Sequence, residues 1–552
     1  MYLYRRRTLC LLAISLVGIA ALATASPAAA ADRPEVRKGA DEQMVAMRDG
    51  VKLATNVFLP KGDGPWPVVL TRTPYSKDGQ FGAMASRYTS AGYAYVIQDC
   101  RGMFRSEGEY RPFLDDQEDG FDTVNWIAEQ AWCDGNVGMS GASAMGITSL
   151  VAASADPDAL KAAIVVAAPE SFWTEASFIG GVFKEADTTN WMRGQGAEDQ
   201  VADRKASIED TEEEASRDIA SQRSKIDIPI YHLGGWYDIF SSGTQNNFTF
   251  LHNEGLEGAR GNQKLFMGPF GHGNLAGELS YRNAGGILAV FAEELRWFDH
   301  HLKGEENGIG TEPPVKYYQM ASARKGDSSE KNGWQTAENW PPESREVRYH
   351  LLPGGSLATE PSEDYEAATT YVHDPNNPVP TFGGANLTLP LGPVDQRQIE
   401  ERDDYLRFQT PVLEEDVEIG GRVYVDLYAS TDAPDTDFMV KLVDVYPDGY
   451  EALILDAPLR TRYREGREAD QIKMMPAGEP VQMTVDLGST ANIFEAGHRI
   501  AVHVASSNAP RFEVNPGTGD PPGQPQAEPR EANNTVYHNA RQPTALVLPI
   551  VD

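Results

Sequence analysis

Three short segments of this chain hold residue types that could act together. The first, Val137-Gly138-Met139-Ser140-Gly141-Ala142-Ser143-Ala144-Met145-Gly146, runs from a strand-forming stretch through Gly-x-Ser-x-x-Gly into a helix-forming one. Such a turn holds a serine in a strained conformation at the carboxyl edge of a sheet, and the helix behind it aims N–H groups and a positive end at the same point. By itself the motif is weak, because tight strand-to-helix turns also arise for packing. A serine hydroxyl is a poor nucleophile at neutral pH and needs a base within hydrogen-bond reach, with an acid to orient that base. The apolar run Ile228 to Leu233 ends in Gly234-Gly235-Trp236-Tyr237-Asp238, and Lys264 to Met267 leads into Gly268-Pro269-Phe270-Gly271-His272-Gly273. Asp238 and His272 therefore follow successive strands, in the order serine, acid, histidine. Each also has a bland reading, Asp238 as a helix cap and His272 as a loop histidine.

The chain has ten histidines, and the other nine are badly placed. His232 falls inside a strand, His252 on a helical stretch, His300 and His301 on a later helix, and the rest in a β-rich C-terminal half. A tetrahedral intermediate also needs donors for its oxyanion. The backbone N–H of Ala144, the residue after the serine, is one. The other must come from the loop after the third strand, Arg72-Thr73-Pro74-Tyr75. No His-Gly-Gly-Gly loop stands there, so a side chain is required, and the Tyr75 hydroxyl is the obvious donor; its bland reading is a tyrosine packed under a lid.

The elements that position these residues can be read from the hydrophobic pattern. Met44 to Arg48 and Val51 to Phe58 form a hairpin across Asp49-Gly50. Strands follow at Val68–Thr71, Tyr93–Gln98, Val137–Met139, Ala162–Val166, Ile228–Leu233 and Lys264–Met267, with helices at Glu118–Gln130, Met145–Ala155 and Val290–Leu302. Alternation of this kind predicts a mostly parallel sheet covered on both faces. Residues 170–225 break the rhythm with an acidic, helix-forming run, Ala197 to Ser221, and read as a lid inserted over one end of the sheet. Its Glu209 to Glu214 reads as a solvated helix face, though a lid carboxylate that binds a substrate amine would look the same. The Gly/Pro-rich segment Gly304 to Pro314 reads as a linker. Beyond it, short alternating segments such as Val423–Tyr428, Met439–Val445, Val481–Leu487 and Arg499–Ala505 indicate an all-β sandwich or jelly roll. Asn515 to Glu531 reads as a mobile loop with no catalytic feature.

Composition bounds the function. Of 552 residues, 41% are hydrophobic and 23% charged, a globular balance, and the net charge of −33 repels nucleic acid and anionic lipid. The N-terminus has Arg5-Arg6-Arg7, an apolar Leu9 to Ala25, and small residues through Ser26-Pro27-Ala28-Ala29-Ala30-Ala31, which fits a signal peptide over 1–31 cleaved near Ala30 or Ala31. The alternative of a retained anchor stays open, as does the choice between general and twin-arginine export. After removal the protein is expected to be secreted or periplasmic, with no membrane association. Three cysteines exclude a disulfide scaffold, and Cys100 and Cys133 should lie about 15 Å apart at opposite sheet edges, too far to bridge. Asp432, Asp435 and Asp437 lack the Gly and terminal Glu of an EF-hand calcium loop, and adjacent His300 and His301 point to different helix faces. Neither a metal nor a cofactor is expected.

These motifs, with several others, make the chain resemble the cocaine-esterase-like (CocE/NonD) hydrolases of the Xaa-Pro dipeptidyl-peptidase S15 class along nearly all of its mature length. The matching segments are Arg72-Thr73-Pro74-Tyr75; Gln98-Asp99-Cys100-Arg101-Gly102 with Ser106-Glu107-Gly108; Trp132-Cys133-Asp134-Gly135-Asn136-Val137-Gly138-Met139; Gly235-Trp236-Tyr237-Asp238; and Trp297-Phe298-Asp299-His300 with Leu302-Lys303-Gly304. They continue as Gly392-Pro393-Val394-Asp395-Gln396-Arg397, Asp432-Ala433-Pro434-Asp435-Thr436-Asp437-Phe438, and Gly497-His498-Arg499 with Ser506-Ser507-Asn508. The resemblance implies an α/β-hydrolase domain over 32–310 carrying the lid at 170–225, and a C-terminal jelly roll over 311–552. It implies Ser143, Asp238 and His272 as the triad and Tyr75 as oxyanion donor. Two departures stand out: Ala144 replaces the tyrosine common after the serine in that family, and the lid is short.

The expected function is an exported serine hydrolase that cleaves an ester or acyl-amide of a small hydrophobic acid through an acyl-enzyme. Within that class the alternative is release of Xaa-Pro dipeptides, and outside it a non-catalytic carbohydrate- or surface-binding protein. The β domain could close the pocket or build a homo-oligomer.

Overall fold

A computed structural model describes residues 37–209, 217–284, 287–324 and 326–551. The N-terminal export signal expected at 1–31 lies outside the described residues, as does most of the acidic stretch 209–214.

The fold opens on the hairpin anticipated at Asp49-Gly50, with β1 (Asp41–Ala46) antiparallel to β2 (Lys52–Phe58) and Gly50 at a positive φ in the turn. β3 (Trp66–Thr73), β4 (Ala94–Asp99), β5 (Cys133–Ala142) and β6 (Leu160–Val166) follow. Next comes the small hairpin of β7 (Phe178–Ile179) and β8 (Val182–Phe183), then β9 (Ile230–Tyr237), β10 (Lys264–Gly271) and β11 (Val315–Gln319). Among the described residues one ten-stranded sheet runs β1-β2-β4-β3-β5-β6-β9-β10-β11 and closes on Gly333–Ala337. From β4 to β11 neighbouring strands are parallel.

Both faces of that sheet are buried, which is why its strands read as continuous apolar runs and not as alternating ones. On one face Val68, Leu70, Val96 and Met139 pack with Val124 and Ile127 of α2 (Asp116–Ala128), with Ile147 and Leu150 of α3 (Ala144–Ala153), and with Leu251 of the later helix Ser241–Glu254. On the other face Val69, Tyr95, Ile97, Ile164 and Leu233 meet Tyr88 of α1 (Ala85–Ser90) and Trp297, Phe298 and Leu302 of the last helix, Ile287–Lys303. Every residue of α3 is buried, as expected of a helix that is apolar all round.

The insertion between β6 and β9 carries α4 (Glu185–Gly194), α5 (Val201–Ala206) and α6 (Ile219–Gln222); α7 is Ser241–Glu254 and α8 is Ile287–Lys303. The acidic run Ala197 to Ser221 is not one helix. It breaks into a 3-10 turn at Glu198–Gln200, α5, a second 3-10 turn at Ser207–Glu209, and then α6 beyond the undescribed stretch. Ile208 and Ile219 are each buried. Glu209 is exposed, as anticipated, but accepts a hydrogen bond from Tyr463 of the β domain.

The first sheet also runs past the boundary expected at residue 310. β11 continues parallel pairing onto β10, and Gly333–Ala337 pairs antiparallel with β11, because Val315, Tyr317 and Tyr318 are apolar enough to be buried there. From Arg345 onward the chain is a jelly roll. Its longest strand, Val417–Thr431, pairs antiparallel with Val481–Phe494 on one side and with Ala532–Tyr537 and Ala545–Ile550 on the other. The inward residues Val423, Val425, Leu427 and Ala429 alternate along it and are fully buried. Asp435 and Asp437 pair with Arg462 and Arg460, so these acids pack the β domain. Asn515 donates to both of those carboxylates, and Gly523 lies against α5, so the loop read as mobile packs on the lid. Cys100 and Cys133 are free and lie at opposite ends of β4 and β5, two strands separated by β3.

Candidate active site

The serine comes first. β5 ends at Ala142 and α3 begins at Ala144, leaving Ser143 alone in the turn at φ 58°, ψ −126°. That conformation costs an L residue about 1–3 kcal/mol and persists only where the surroundings impose it. Here they do: the Ser143 N–H donates to Val166 O at 2.8 Å and its carbonyl accepts from Ile147 N at 3.0 Å. The approach is so close that a Cβ on Gly141 would lie 2.2 Å from Met145 O. The Ala144 N–H belongs to the first turn of α3, whose N–H groups have no partner inside the helix.

The acid and the histidine arrive on β9 and β10, beyond β6 in the sheet. Asp238 follows β9 and is almost fully buried. Its Oδ1 accepts the Phe240 N–H at 2.8 Å, a local turn that fixes the carboxylate. Its Oδ2 lies 2.9 Å from His272 Nδ1 in the loop after β10. Asp238 does not cap the helix that follows, whose N-cap is Phe240 without a side-chain bond; one of its oxygens holds the turn before that helix and the other meets His272. The His272 ring is held by the edge of Phe240, with centroids 5.8 Å apart and planes at 88°. Gly271 admits Leu391 of the β domain, whose Cδ1 would lie 2.3 Å from any Cβ there. Burial pulls the His272 pKa down, but the charge and hydrogen bond of Asp238 outweigh it, and the net shift is above the ordinary value.

Tyr75 sits where the loop after β3 passes the serine. Its hydroxyl accepts a hydrogen bond from Trp191 Nε1 of the lid helix α4 at 2.9 Å. Burial pushes the phenol up to about 12, although hydrogen bonds with Trp191 and Ser143 oppose the rise. Tyr75 is therefore a protonated donor at any physiological pH. The bland expectation of a tyrosine packed beneath the lid is met.

Ser143 opens onto two cavities. One, of about 420 Å³, is shared by Tyr75, Ser143, Asp238 and His272 and is walled by Phe266, Phe270 and the β-domain segment Leu387 to Leu391. The other, of about 60 Å³, lies behind Ala144 among Phe113, Ile147, Phe172, Trp191 and Met192. The small cavity carries three buried charged side chains, Lys184, Asp187 and Arg204. Lys184 Nζ donates to the carbonyls of Glu175 and Ile239, and burial lowers its pKa. Asp187 Oδ1 accepts the N–H groups of Leu387 and Thr388, while its Oδ2 has no hydrogen-bond partner. Nearby, burial raises the carboxyl of Glu175, which accepts the Gly243 N–H at 2.8 Å.

All five residues predicted from sequence border this space. Trp191, Asp187 and the 387–391 segment were missed. The motif Gly392 to Arg397 adjoins that segment and could have marked it, whereas nothing in Asn190-Trp191-Met192 distinguishes a site residue from a packed lid helix. Through that segment the jelly roll forms part of the pocket wall.

Comparison with known proteins agrees with this architecture. The family described as X-Pro dipeptidyl-peptidase (S15 family) matches residues 49–223, and the X-Pro dipeptidyl-peptidase C-terminal non-catalytic domain matches 307–547. The chain is 33% identical to cocaine esterase of Rhodococcus sp. (strain MB1 Bresler), over 93% of this chain and 98% of that one. Among solved structures, an alpha-amino acid ester hydrolase is 25% identical with a TM-score of 0.77, covering 94% of this chain and 98% of its own. An aminopeptidase from the marine sediment archaeon Thaumarchaeota archaeon shares the fold at TM-score 0.79 and 24% identity, over 96% and 99% of the two chains. The alternative of a non-catalytic binding module gives way to an enzyme: the chain belongs to the CocE/NonD serine hydrolases of the X-Pro dipeptidyl-peptidase S15 class.

Proposed function

We propose that the protein hydrolyses carboxylic esters by acyl transfer through Ser143, with His272 as base, Asp238 as the acid that orients it, and the Ala144 N–H and Tyr75 hydroxyl as oxyanion donors. The observation that carries this reading is the 2.9 Å contact of His272 Nδ1 with Asp238 Oδ2 beside a serine held at positive φ in the same cavity. With Nδ1–H donated to Asp238, the lone pair of Nε2 is left for the Ser143 proton. Ser143 Oγ bonds to the carbonyl carbon as its proton passes to Nε2, and the carbonyl electron pair moves onto oxygen. Collapse of that intermediate breaks the ester C–O bond, and the departing alcohol takes the proton from Nε2. A water, giving a proton to His272, then attacks the acyl-enzyme, and Ser143 leaves with its proton restored.

The size of the cavity behind Ala144 supports a small apolar acyl group, and the larger cavity on the His272 side supports a bulkier leaving group. An ester preference is supported by the relative named cocaine esterase. A fluorophosphonate probe should label the wild type at Ser143 and leave Ser143→Ala unlabelled; equal labelling of both would remove the reading.

One observation favours a second reading, in which the acyl group carries a free amine, as in an aminoacyl ester or Xaa-Pro peptide. The unpartnered Oδ2 of Asp187 in the acyl-side cavity would accept such a donor. Rates for an aminoacyl ester and its des-amino counterpart separate the two readings: a preference for the amine that Asp187→Asn abolishes supports the second, and no preference removes it. We also propose, from the signal peptide expected over 1–31, that the enzyme acts outside the cytoplasm. Sequencing of protein recovered from the secreted or periplasmic fraction should start near Asp32, and full-length protein retained in the cytosol would overturn that.

A further inference from the structure

The hydrogen bond between lid and sheet, Trp191 Nε1 to Tyr75 Oη at 2.9 Å, has a direction that chemistry fixes. An indole N–H is only a donor, so the phenol can only accept from it. Tyr75 owns a single proton and two lone pairs. With one lone pair engaged by Trp191, the proton is free to point elsewhere, and the phenol borders the same cavity as Ser143. We propose that Trp191 is a positioning residue for the oxyanion site: by occupying the acceptor side of Tyr75 it turns the phenolic proton toward the acyl carbonyl bound at Ser143 and makes that proton a stronger donor. This rests on the serine-hydrolase reading and adds to it a part of the machinery that belongs to the lid.

The rest of the surroundings fit that role. Trp191 stacks on Phe113, with ring centroids 5.6 Å apart and planes at 15°, so the indole is fixed in its plane. It borders both cavities and stands where they meet at Ser143. Four residues before it on the same helix, Asp187 is tied through Oδ1 to the backbone of Leu387 and Thr388. A chain of contacts therefore runs from the β domain through Asp187 and α4 to Trp191 and on to Tyr75. The oxyanion donor is set from the lid and not by its own loop alone.

Trp191→Phe keeps a ring to stack on Phe113 and removes only the donor and some volume. With an activated ester, kcat should fall about five- to tenfold, the worth of one neutral hydrogen bond, while KM changes less than threefold. In a Tyr75→Phe background the same substitution should change kcat less than twofold, because no phenol remains to be oriented. An equal loss in both backgrounds, or no loss in either, overturns the proposal. A second readout does not require the Trp191 variant to fold: the indole N–H resonance of Trp191 in ¹⁵N spectra should move upfield in Tyr75→Phe, where it loses its acceptor, and an unmoved resonance counts against the proposal. Ser143→Ala, assayed alongside, tests the hydrolase reading separately. If it retains wild-type activity the parent reading fails, whatever Trp191 does.

Discussion

His272 Nδ1 stands 2.9 Å from one oxygen of Asp238, while the other oxygen of that carboxylate accepts the Phe240 N–H at 2.8 Å. The second bond fixes the first, so the imidazole has one tautomer and one orientation. Asp238→Asn can keep the Phe240 bond but offers His272 an amide in place of a charge. We expect kcat/KM to drop by about 10³–10⁴ with little change in melting temperature, as loss of the orienting acid does in a serine triad. A loss under tenfold would mean that Asp238 serves only the turn.

The pH profile follows from the same pair. Asp238 holds the protonated imidazole, and His272 is shifted above its ordinary value despite burial. Only neutral His272 can take the Ser143 proton. Activity should therefore fall as pH drops through that raised pKa, with the acid limb of kcat/KM centred above the ordinary histidine value. In Asp238→Asn the charge that lifts the pKa is gone and burial remains, so the limb of the residual activity should move to lower pH. A limb that stays in place would assign it to another group.

Much of this arrangement was legible in the sequence because glycines mark it. Gly141, Gly146, Gly235, Gly271 and Gly273 flank the three reactive residues where chains approach closely, and strand ends follow from apolar runs. Trp191 and Asp187 were not legible. Their roles depend on where a lid helix lands over the sheet, and a helix whose buried positions face two cavities has no spacing that says which residue meets the site. The extension of the sheet by Val315–Gln319 was hidden for a related reason. It follows a Gly/Pro-rich segment that looks like a linker, and only pairing with β10 shows that the sheet continues.

The turn itself makes a prediction about backbone space. A methyl group on Gly141 would stand 2.2 Å from Met145 O and 2.8 Å from Gly146 N, both backbone atoms of α3. Gly141→Ala should destabilise the protein by about 1–3 kcal/mol, the usual cost of overpacking, and reduce kcat more than KM because Ser143 is displaced. Denaturant melts and steady-state kinetics on one preparation would check both parts.

Ala144 tests the acyl-side cavity. Its side chain borders the space among Phe113, Ile147 and Phe172, while its N–H is the proposed oxyanion donor. Ala144→Val should keep the donor and shrink the cavity. Acetyl esters should then retain most of their kcat/KM while butyryl and longer esters lose about tenfold, roughly the price of one or two misplaced methylenes. A uniform loss across chain lengths would place the acyl group in the larger cavity.

The most direct measurement is the covalent intermediate. An activated ester mixed with the enzyme and quenched in acid within the burst should yield, by peptide mass spectrometry, the acyl group on the peptide that contains Ser143, with Ser143→Ala giving none and turning over at background rate. Acylation of a different residue, or undiminished turnover by Ser143→Ala, would contradict the account.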